Sequence, residues 1–203
     1  MAKVDFKKTW KDLYGPSGRE PILVEVPAFN FLMVDGAGDP NTANAYHEAV
    51  EALFAVAYAA KFRAKKAPGG LDFTVMPLEG LWWGEDMATF SVERKDDWLW
   101  RMMIMQPPGV TAELIRSVAE ETSRKKDLPA LSRLRFEAFA EGRCAQILHT
   151  GPFSEEGPTL ERLHRFIGPA ERFRGRHHEI YLSDVRRGDP SKWRTILRQP
   201  LVG

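Results

Sequence analysis

Residues 147–184 contain the pattern from which we predict the fold. ILHTGPFSEEGPTLERLHRFIG, residues 147–168, starts with the apolar end of a strand and continues into a helix that has Pro158 in its first turn and apolar residues at helical spacing. RGRHHEIYLSD, residues 174–184, has the composition of a further strand. The order strand, helix, strand predicts a module in which helix and strand pack together.

The first half of the chain repeats this order. PILVEVPAFNFLMVDGAG, residues 21–38, alternates apolar and polar residues and predicts one long strand that is interrupted at Pro27. A helix is predicted over about residues 43–63, with Asn41 or Thr42 as its cap. LDFTVMPLEGLWW and DDWLWRMMIMQP predict two more strands.

The remaining segments complete the prediction. TAELIRSVAEETSRKKD, from Thr111, has a helical apolar face, and residues 133–151 are interpreted as a hairpin that turns at Glu141 and Gly142. The final DPSKWRTILRQP is interpreted as a short helix opened by Asp189 and Pro190. We therefore predict an α+β fold of two strand-helix-strand-strand halves, about residues 21–108 and 109–203, with a mostly antiparallel sheet. An N-terminal arm over residues 1–20 precedes these halves in the chain.

Composition excludes several classes of protein. The chain has 203 residues, and its 29 Lys and Arg nearly balance its 28 Asp and Glu, so no general field attracts it to nucleic acid or to an anionic membrane. One cysteine, Cys144, excludes an internal disulfide framework and a zinc site with several thiolates. Without an apolar run of eighteen residues or a signal-like N-terminus, we expect a cytoplasmic protein.

The strand HHEIYL, residues 177–182, contains the first candidate site. Alternation places His177, Glu179 and Tyr181 on one face, although an acid is poorly suited to strand structure. A carboxylate in an apolar cleft can have a raised pKa, attract a cation or take a proton from water. The alternative is a glutamate on an edge strand that faces solvent, the commoner situation for such a residue.

Large side chains on two other predicted strands could form the walls of a cleft. Trp82 and Trp83 lie on one strand, and Trp100 and Met103 lie on another. Flat indole rings can stack on a planar ligand, and methionine adapts to varied shapes. The alternative for each residue is packing in the core, and because adjacent residues of a strand point to opposite faces, Trp82 and Trp83 can line the same wall only if the strand is bulged.

Other motifs do not support a cofactor or a metal. VDGAGDPN lacks the third glycine of a dinucleotide loop, because Asn41 stands there. HHE resembles part of a zinc deaminase motif but has no accompanying P-C-x-x-C, and His177 and His178 point to opposite faces. We expect no cofactor and no metal, and we expect Cys144 to be an inert core residue.

Several separate stretches together resemble one family. HHEIYLSDVRR followed by SKWRTILRQP, ILHTGPFSEEGPTLERLHRFIG, and LEGLWWGEDM followed by WLWRMMIMQP are similar to the GyrI-like small-molecule-binding family, over about residues 20–202. The resemblance implies two modules about a pseudo-twofold axis with a ligand cleft between them. It also implies that Glu179 is the binding acid and that Tyr181 lines the pocket.

The resemblance to free-standing members of the family implies a function. We expect binding of planar hydrophobic or cationic small molecules and hydrolysis of cyclopropane-bearing DNA-alkylating compounds, with Glu179 and Tyr181 as catalytic residues. Trp82, Trp83, Trp100, His177 and Met103 are the expected substrate-binding residues. The alternatives are a protein that only binds or senses such compounds, and an inhibitor-like partner of DNA gyrase. The expected state is a monomer or a homodimer.

Overall fold

The computed structural model describes residues 2–85, 94–169, 172–184 and 188–202. Within them are five α-helices: α1 Phe6–Thr9, α2 Lys11–Tyr14, α3 Asn44–Lys66, α4 Ala112–Lys125 and α5 Gly157–Ile167. Eight strands lie in the same described residues: β1 Ile22–Val26, β2 Phe29–Ala37, β3 Leu78–Trp83, β4 Leu99–Gln106, β5 Arg135–Phe139, β6 Gly142–Thr150, β7 His177–Tyr181 and β8 Arg194–Pro200. The mixture of helices and antiparallel strands confirms the predicted α+β fold.

The chain forms two compact units, each built from several segments. Unit 1 comprises Met1–Phe6, Phe29–Met76 and Trp82–Phe139, and unit 2 comprises Lys7–Ala28, Pro77–Leu81 and Ala140–Gly203. Each unit therefore draws on both halves of the chain, whereas the sequence pattern predicted two continuous halves. The segment predicted as an arm contains α1 and α2, and Leu13 and Tyr14 of α2 are buried.

The strand-helix-strand-strand pattern occurs twice, as β2-α3-β3-β4 and as β6-α5-β7-β8. In each pattern the first strand pairs antiparallel with the last, with Met33 opposite Met103 and Ile147 opposite Leu197. The other edge of the first strand is covered by an additional strand, β5 on β2 and β1 on β6. The predicted repeat is therefore present in strand order and in pairing.

Small side chains let α3 pack closely in unit 1. Its buried face includes Ala49, Ala52, Leu53, Val56, Ala57 and Ala60, each with no exposed surface, and it lies against β2 and β4. A further close approach occurs where Gly36 of β2 faces Trp100 of β4. A Cβ atom on Gly36 would lie 2.1 Å from the Trp100 ring, so this position requires glycine.

Helix α5 provides the core of unit 2. Leu163 and Ile167 are buried against Ala145 and Ile147 of β6 and Leu197 of β8. Its exposed residues are mostly polar, with Phe166 as an exposed apolar exception. This packing places the start of α5 beside β6, where the candidate site lies.

Two predicted connections are wrong. Residues 22–37 form two separate strands, because β1 pairs with β6 whereas β2 pairs with β4 and β5. Residues 133–151 do not form a hairpin: β5 pairs with β2, and β6 already has β1 and β8 on its two edges. Since both edges of β6 are occupied, no edge is left to which β5 could pair.

The C-terminal segment is also different from the prediction. The Asp189 side chain does accept a hydrogen bond from the Ser191 N–H at 3.0 Å, as a helix cap would. Only one 3-10 turn, Pro190–Lys192, comes next, and the chain then enters β8. Pairing of β8 with both β6 and β7 supplies the backbone hydrogen bonds that a helix would otherwise have made.

Candidate functional site

Strand β7 presents two different faces in unit 2. His178 and Ile180 have no exposed surface, whereas His177, Glu179 and Tyr181 are partly exposed. The alternation predicted from the sequence is therefore present. The Glu179 side chain is 17% exposed and that of His177 is 15% exposed, so Glu179 is sheltered but reachable from solvent.

The carboxylate of Glu179 is held by its neighbours on the strand. The Tyr181 hydroxyl donates a hydrogen bond to Glu179 Oε2 at 2.7 Å. On the other oxygen, His177 Nε2 lies 3.4 Å from Glu179 Oε1. Because the three side chains occupy alternate positions of one strand, this arrangement results from β geometry. The phenol fixes the orientation of the carboxylate and leaves lone pairs of Oε1 available.

Aromatic rings lie beside this carboxylate. The Phe153 ring is 5.6 Å from the Tyr181 ring and 5.5 Å from the Trp193 ring. Phe153 is 41% exposed, which is unusual for so large an apolar side chain. The indole Nε1 of Trp193 is buried and finds no hydrogen-bond partner among the described residues. Phe153 and Trp193 were not selected from the sequence, and they provide an aromatic surface next to Glu179.

A second carboxyl group belongs to the same cluster. Glu156, at the start of α5, is 7% exposed. Burial raises its pKa to about 9, and the charge of Glu179 contributes to the rise. Its Oε1 atom is buried without a hydrogen-bond partner among the described residues. At neutral pH Glu156 is therefore protonated, which leaves a neutral acid beside Glu179.

The other face of β7 contributes to a fully buried polar network. His178 Nδ1 lies 2.9 Å from Glu141 Oε1, within hydrogen-bond distance. His178 Nε2 lies 3.0 Å from Glu79 Oε2, an ion-pair distance, although the two groups are not aligned as a hydrogen bond. The Tyr14 hydroxyl donates to Glu79 Oε1 at 2.9 Å. The imidazole is thus held between two glutamates.

Arg198 of β8 completes this network. Its guanidinium donates to Glu141 Oε2, to Gln146 Oε1 and to the Leu13 carbonyl oxygen, each at 2.9 Å. The contacts join β8 and β6 to helix α2. Such a guanidinium has donors for three separate acceptors, which a lysine could not satisfy in the same geometry.

Charge pairing sets the ionisation of the network. Burial alone would raise the pKa of Glu141, but the positive charges of His178 and Arg198 outweigh burial and lower it to about 2. Burial opposes protonation of His178, yet Glu141 and Glu79 raise its pKa to about 9. The imidazolium is therefore the stable form at neutral pH, and it anchors β7 from behind while Glu179 faces the other way.

This network was missed in the sequence. Glu79, Glu141 and Arg198 are separated from their partners by 37 to 185 positions, and no local pattern joins them. One signal is present in the sequence: Glu79 stands among apolar residues in the predicted strand that ends in LEGLWW. A buried charge requires a partner, so this segment indicates that a partner exists without identifying it.

The predicted tryptophans lie in unit 1. Trp82 is 4% exposed, stacks on Tyr46 with ring centroids 6.2 Å apart, and meets Trp98 edge-on at 5.4 Å. Trp100 has no exposed surface and donates from Nε1 to the Gly38 carbonyl oxygen at 3.3 Å.

Two other predicted wall residues and the cysteine differ in exposure. Met103 has no exposed surface, and Trp83 is half-buried. A role in substrate binding stays a prediction for both of them and for Trp82 and Trp100. Cys144 is buried, and burial raises the pKa of its thiol to about 12, so it is unsuited to act as a nucleophile.

Other surfaces offer little chemistry. An open depression of about 720 Å³ in unit 1 is lined by residues between Ala119 and Ser132 and includes none of the predicted site residues. In the part of the chain that the structure describes, no group of three or more His, Cys, Asp or Glu side chains could hold a metal ion. The helices in that part are too short or too polar to cross a membrane.

Comparison with known proteins assigns the class. The model of the family described as GyrI-like small molecule binding domain matches residues 19–201. The chain belongs to this family and contains a small-molecule-binding domain. A search of curated proteins found no match.

Solved structures of Listeria innocua proteins are similar over the whole chain. One, an uncharacterised conserved protein, is 43% identical with a TM-score of 0.90 and covers 98% of this chain and 100% of its own. Another, described as a hydrolase, is 41% identical with a TM-score of 0.88 and covers 99% of this chain and 100% of its own. The C-terminal domain of EcmrR shares the fold alone, at 10% identity and a TM-score of 0.55 over 90% of this chain and 97% of its own.

Proposed function

We propose that this protein is a hydrolase that opens the activated cyclopropane ring of planar DNA-alkylating compounds. The observation that carries the proposal is the Glu179 carboxylate, sheltered, oriented by Tyr181 at 2.7 Å and bordered by aromatic rings. The 41% identical Listeria innocua protein described as a hydrolase supports an enzyme of this class. The reaction removes an electrophile that would otherwise alkylate DNA.

Glu179 acts on water in this proposal. Tyr181 occupies one lone pair of Oε2, and Oε1 has room to accept a hydrogen bond from a water molecule. That water loses a proton to the carboxylate as its oxygen attacks the strained carbon. A base positioned in this way typically contributes on the order of a hundredfold or more to the rate.

Tyr181 and His177 position the base. The Tyr181 hydroxyl is used by the carboxylate, so it stabilises Glu179 rather than the oxygen of the substrate. His177, 3.4 Å from Glu179 Oε1, limits the directions from which a water can approach. Both residues therefore affect the rate through the orientation of Glu179.

The flat substrate is held by aromatic side chains. Phe153 and Trp193 lie next to Tyr181 in unit 2 and can contact a planar ring system. Offset or edge contacts between aromatic rings contribute about 0.5–1.5 kcal/mol each beyond the area that they bury. We include Trp82, Trp83, Trp100 and Met103 as further predicted contacts.

A second candidate function is binding without turnover. The observation that favours it is a carboxylate held by Tyr181 beside the exposed ring of Phe153, because aromatic rings with a nearby carboxylate can also bind an organic cation. In that case the protein sequesters one molecule of a cationic or hydrophobic compound and releases it unchanged.

Turnover of an excess of compound distinguishes the two functions. A duocarmycin-type cyclopropane alkylator is mixed with protein at a fifty-to-one ratio in water enriched in oxygen-18, and products are followed by chromatography with mass detection. The hydrolase function predicts many ring-opened products per protein, each with one oxygen-18 atom. Recovery of intact compound, with at most one molecule protected per protein, would refute hydrolysis and support sequestration.

A further inference from the structure

Glu156 is the buried acid of unit 2 that the mechanism above leaves without a role. It is 7% exposed, and its Oε1 atom meets no hydrogen-bond partner in the described part of the chain. A buried polar atom without a partner destabilises the fold, so such an atom calls for an explanation. The nearby buried N–H of Trp193, beside Phe153, has no partner among the described residues either.

We propose that Glu156 is the second catalytic carboxyl of this site, the proton donor whose action complements the base Glu179. The proposal rests on the hydrolase function and adds a residue to it. Its basis is position: Glu156 lies at the start of α5, one turn after Phe153, and its backbone N–H donates to the Phe153 carbonyl oxygen at 3.2 Å. Phe153 contacts Tyr181, which holds Glu179.

The surroundings hold Glu156 in its protonated form at neutral pH. Burial, with a contribution from the Glu179 charge, raises the pKa of Glu156 to about 9. Titratable groups on the adjoining elements include Glu155 on the same turn, Glu161 and His164 of α5, His149 of β6, and His177 and Tyr181 of β7, and of the charged groups only Glu179 contributes to the raised pKa of Glu156. The His149 ring nitrogens are engaged by Thr159 Oγ1 at 3.0 Å and the Pro152 carbonyl oxygen at 3.2 Å. A buried acid that keeps its proton at neutral pH is suited to donate that proton in a reaction.

The proposed step balances without any further reactant. A water oxygen forms a bond to the strained ring carbon, and its proton passes to the Glu179 carboxylate. The carbon–carbon bond of the cyclopropane breaks, and its electron pair moves through the conjugated system to the carbonyl oxygen of the substrate. That oxygen takes the proton of Glu156 and becomes a phenol. Return of the proton from Glu179 to Glu156 restores the starting state, so that the net reaction is addition of water.

The test compares Glu156→Gln with Glu155→Gln, a matched change at an exposed acid on the same turn. Glutamine keeps the size and neutrality of protonated Glu156 but has no proton to transfer. We expect kcat at pH 7 to fall on the order of a hundredfold in Glu156→Gln and to be unchanged in Glu155→Gln. Binding of the ring-opened product, measured by fluorescence quenching, should be unchanged in both variants and serves as the test of folding.

A pH series separates proton donation from a merely structural role. Above about pH 9, wild-type Glu156 loses its proton, so the ratio of wild-type kcat to Glu156→Gln kcat should fall about tenfold per pH unit. His178 titrates in the same range in both proteins and cancels in the ratio. A ratio near one at pH 7, or a ratio that is constant from pH 6 to pH 10, would overturn the role of Glu156 while leaving hydrolysis intact. Absence of turnover by the wild type would instead overturn the hydrolase function, and this inference with it.

Discussion

The substitution Glu156→Gln should make the protein more stable, and increasingly so as the pH rises. The folded state raises the pKa of Glu156 from 4.5 to about 9. A carboxyl with a raised folded pKa contributes stability below its unfolded pKa and loses it as the pH rises toward the folded value. At pH 7 the protein must therefore hold protonated a group that is ionised in the unfolded chain, which costs about 3 kcal/mol at about 1.4 kcal/mol per pKa unit.

Urea unfolding of both proteins at pH 5 and pH 7 measures this effect. Glutamine does not titrate, so the difference in free energy of unfolding between variant and wild type should grow in favour of the variant by about 2.5 kcal/mol from pH 5 to pH 7, because a cost of somewhat under 1 kcal/mol is already present at pH 5. Any fixed cost of the buried amide cancels in this comparison, and titration of other groups is common to both proteins. A difference that stays constant between the two pH values would refute the assignment of a neutral, buried Glu156.

Substitutions at two other positions test the packing of unit 1 and the buried ion pairs. Gly36→Ala should lower the free energy of unfolding by at least about 1–3 kcal/mol in urea denaturation, because the new methyl group would lie within the Trp100 ring. Gly38→Ala serves as a milder comparison: its new methyl group would lie 3.3 Å from the Ala43 Cβ atom, and the φ angle of Gly38 is +100°. His178→Gln should cost about 3–5 kcal/mol by the same method, because it removes the cation that pairs with buried glutamates. The folded state raises the pKa of His178 from 6.5 to about 9. The loss of stability in His178→Gln should therefore be largest below pH 6.5 and become about 3 kcal/mol smaller as the pH rises from 6.5 to above 9. A loss of stability that does not depend on pH would contradict the pairing.

The three longer helices, α3, α4 and α5, could be predicted from the sequence because their signals are local, whereas α1 and α2 were not predicted. Pro158 and the apolar spacing after it identify α5, and the change of period after residue 41 identifies α3. Strand β8 could not be predicted in the same way. Six of its seven residues are buried, so both faces of the strand are covered and apolar and polar residues do not alternate along it. Arg198 and Gln199 also give the segment a polar composition. The cap at Asp189 is real, but long-range strand pairing decides the structure of the residues after it.

The candidate site was predicted in part. Alternation in β7 correctly separates Glu179 and Tyr181 from His178, since it depends only on neighbouring residues. Three residues of the site could not be predicted: Phe153, Glu156 and Trp193. The packing of α5 brings Phe153 and Glu156 to the site. Trp193 lies directly before β8, in a segment that was predicted as a helix. A buried glutamate before GPT resembles an ordinary helix cap in the sequence, and only its burial in the fold makes it distinctive.

The role of Glu179 as the base is tested most directly by single-turnover hydrolysis with Glu179→Gln. The matched control is Glu25→Gln, which changes an exposed glutamate of β1 in the same unit. With protein in excess over a cyclopropane alkylator, product release does not limit the rate, so the observed rate reports the chemical step. We expect Glu179→Gln to bind the compound but to form the ring-opened, oxygen-18-labelled product at least about a hundredfold more slowly than the wild type and Glu25→Gln. A Glu179→Gln rate within a factor of about three of the wild type would contradict the role of Glu179 as the base.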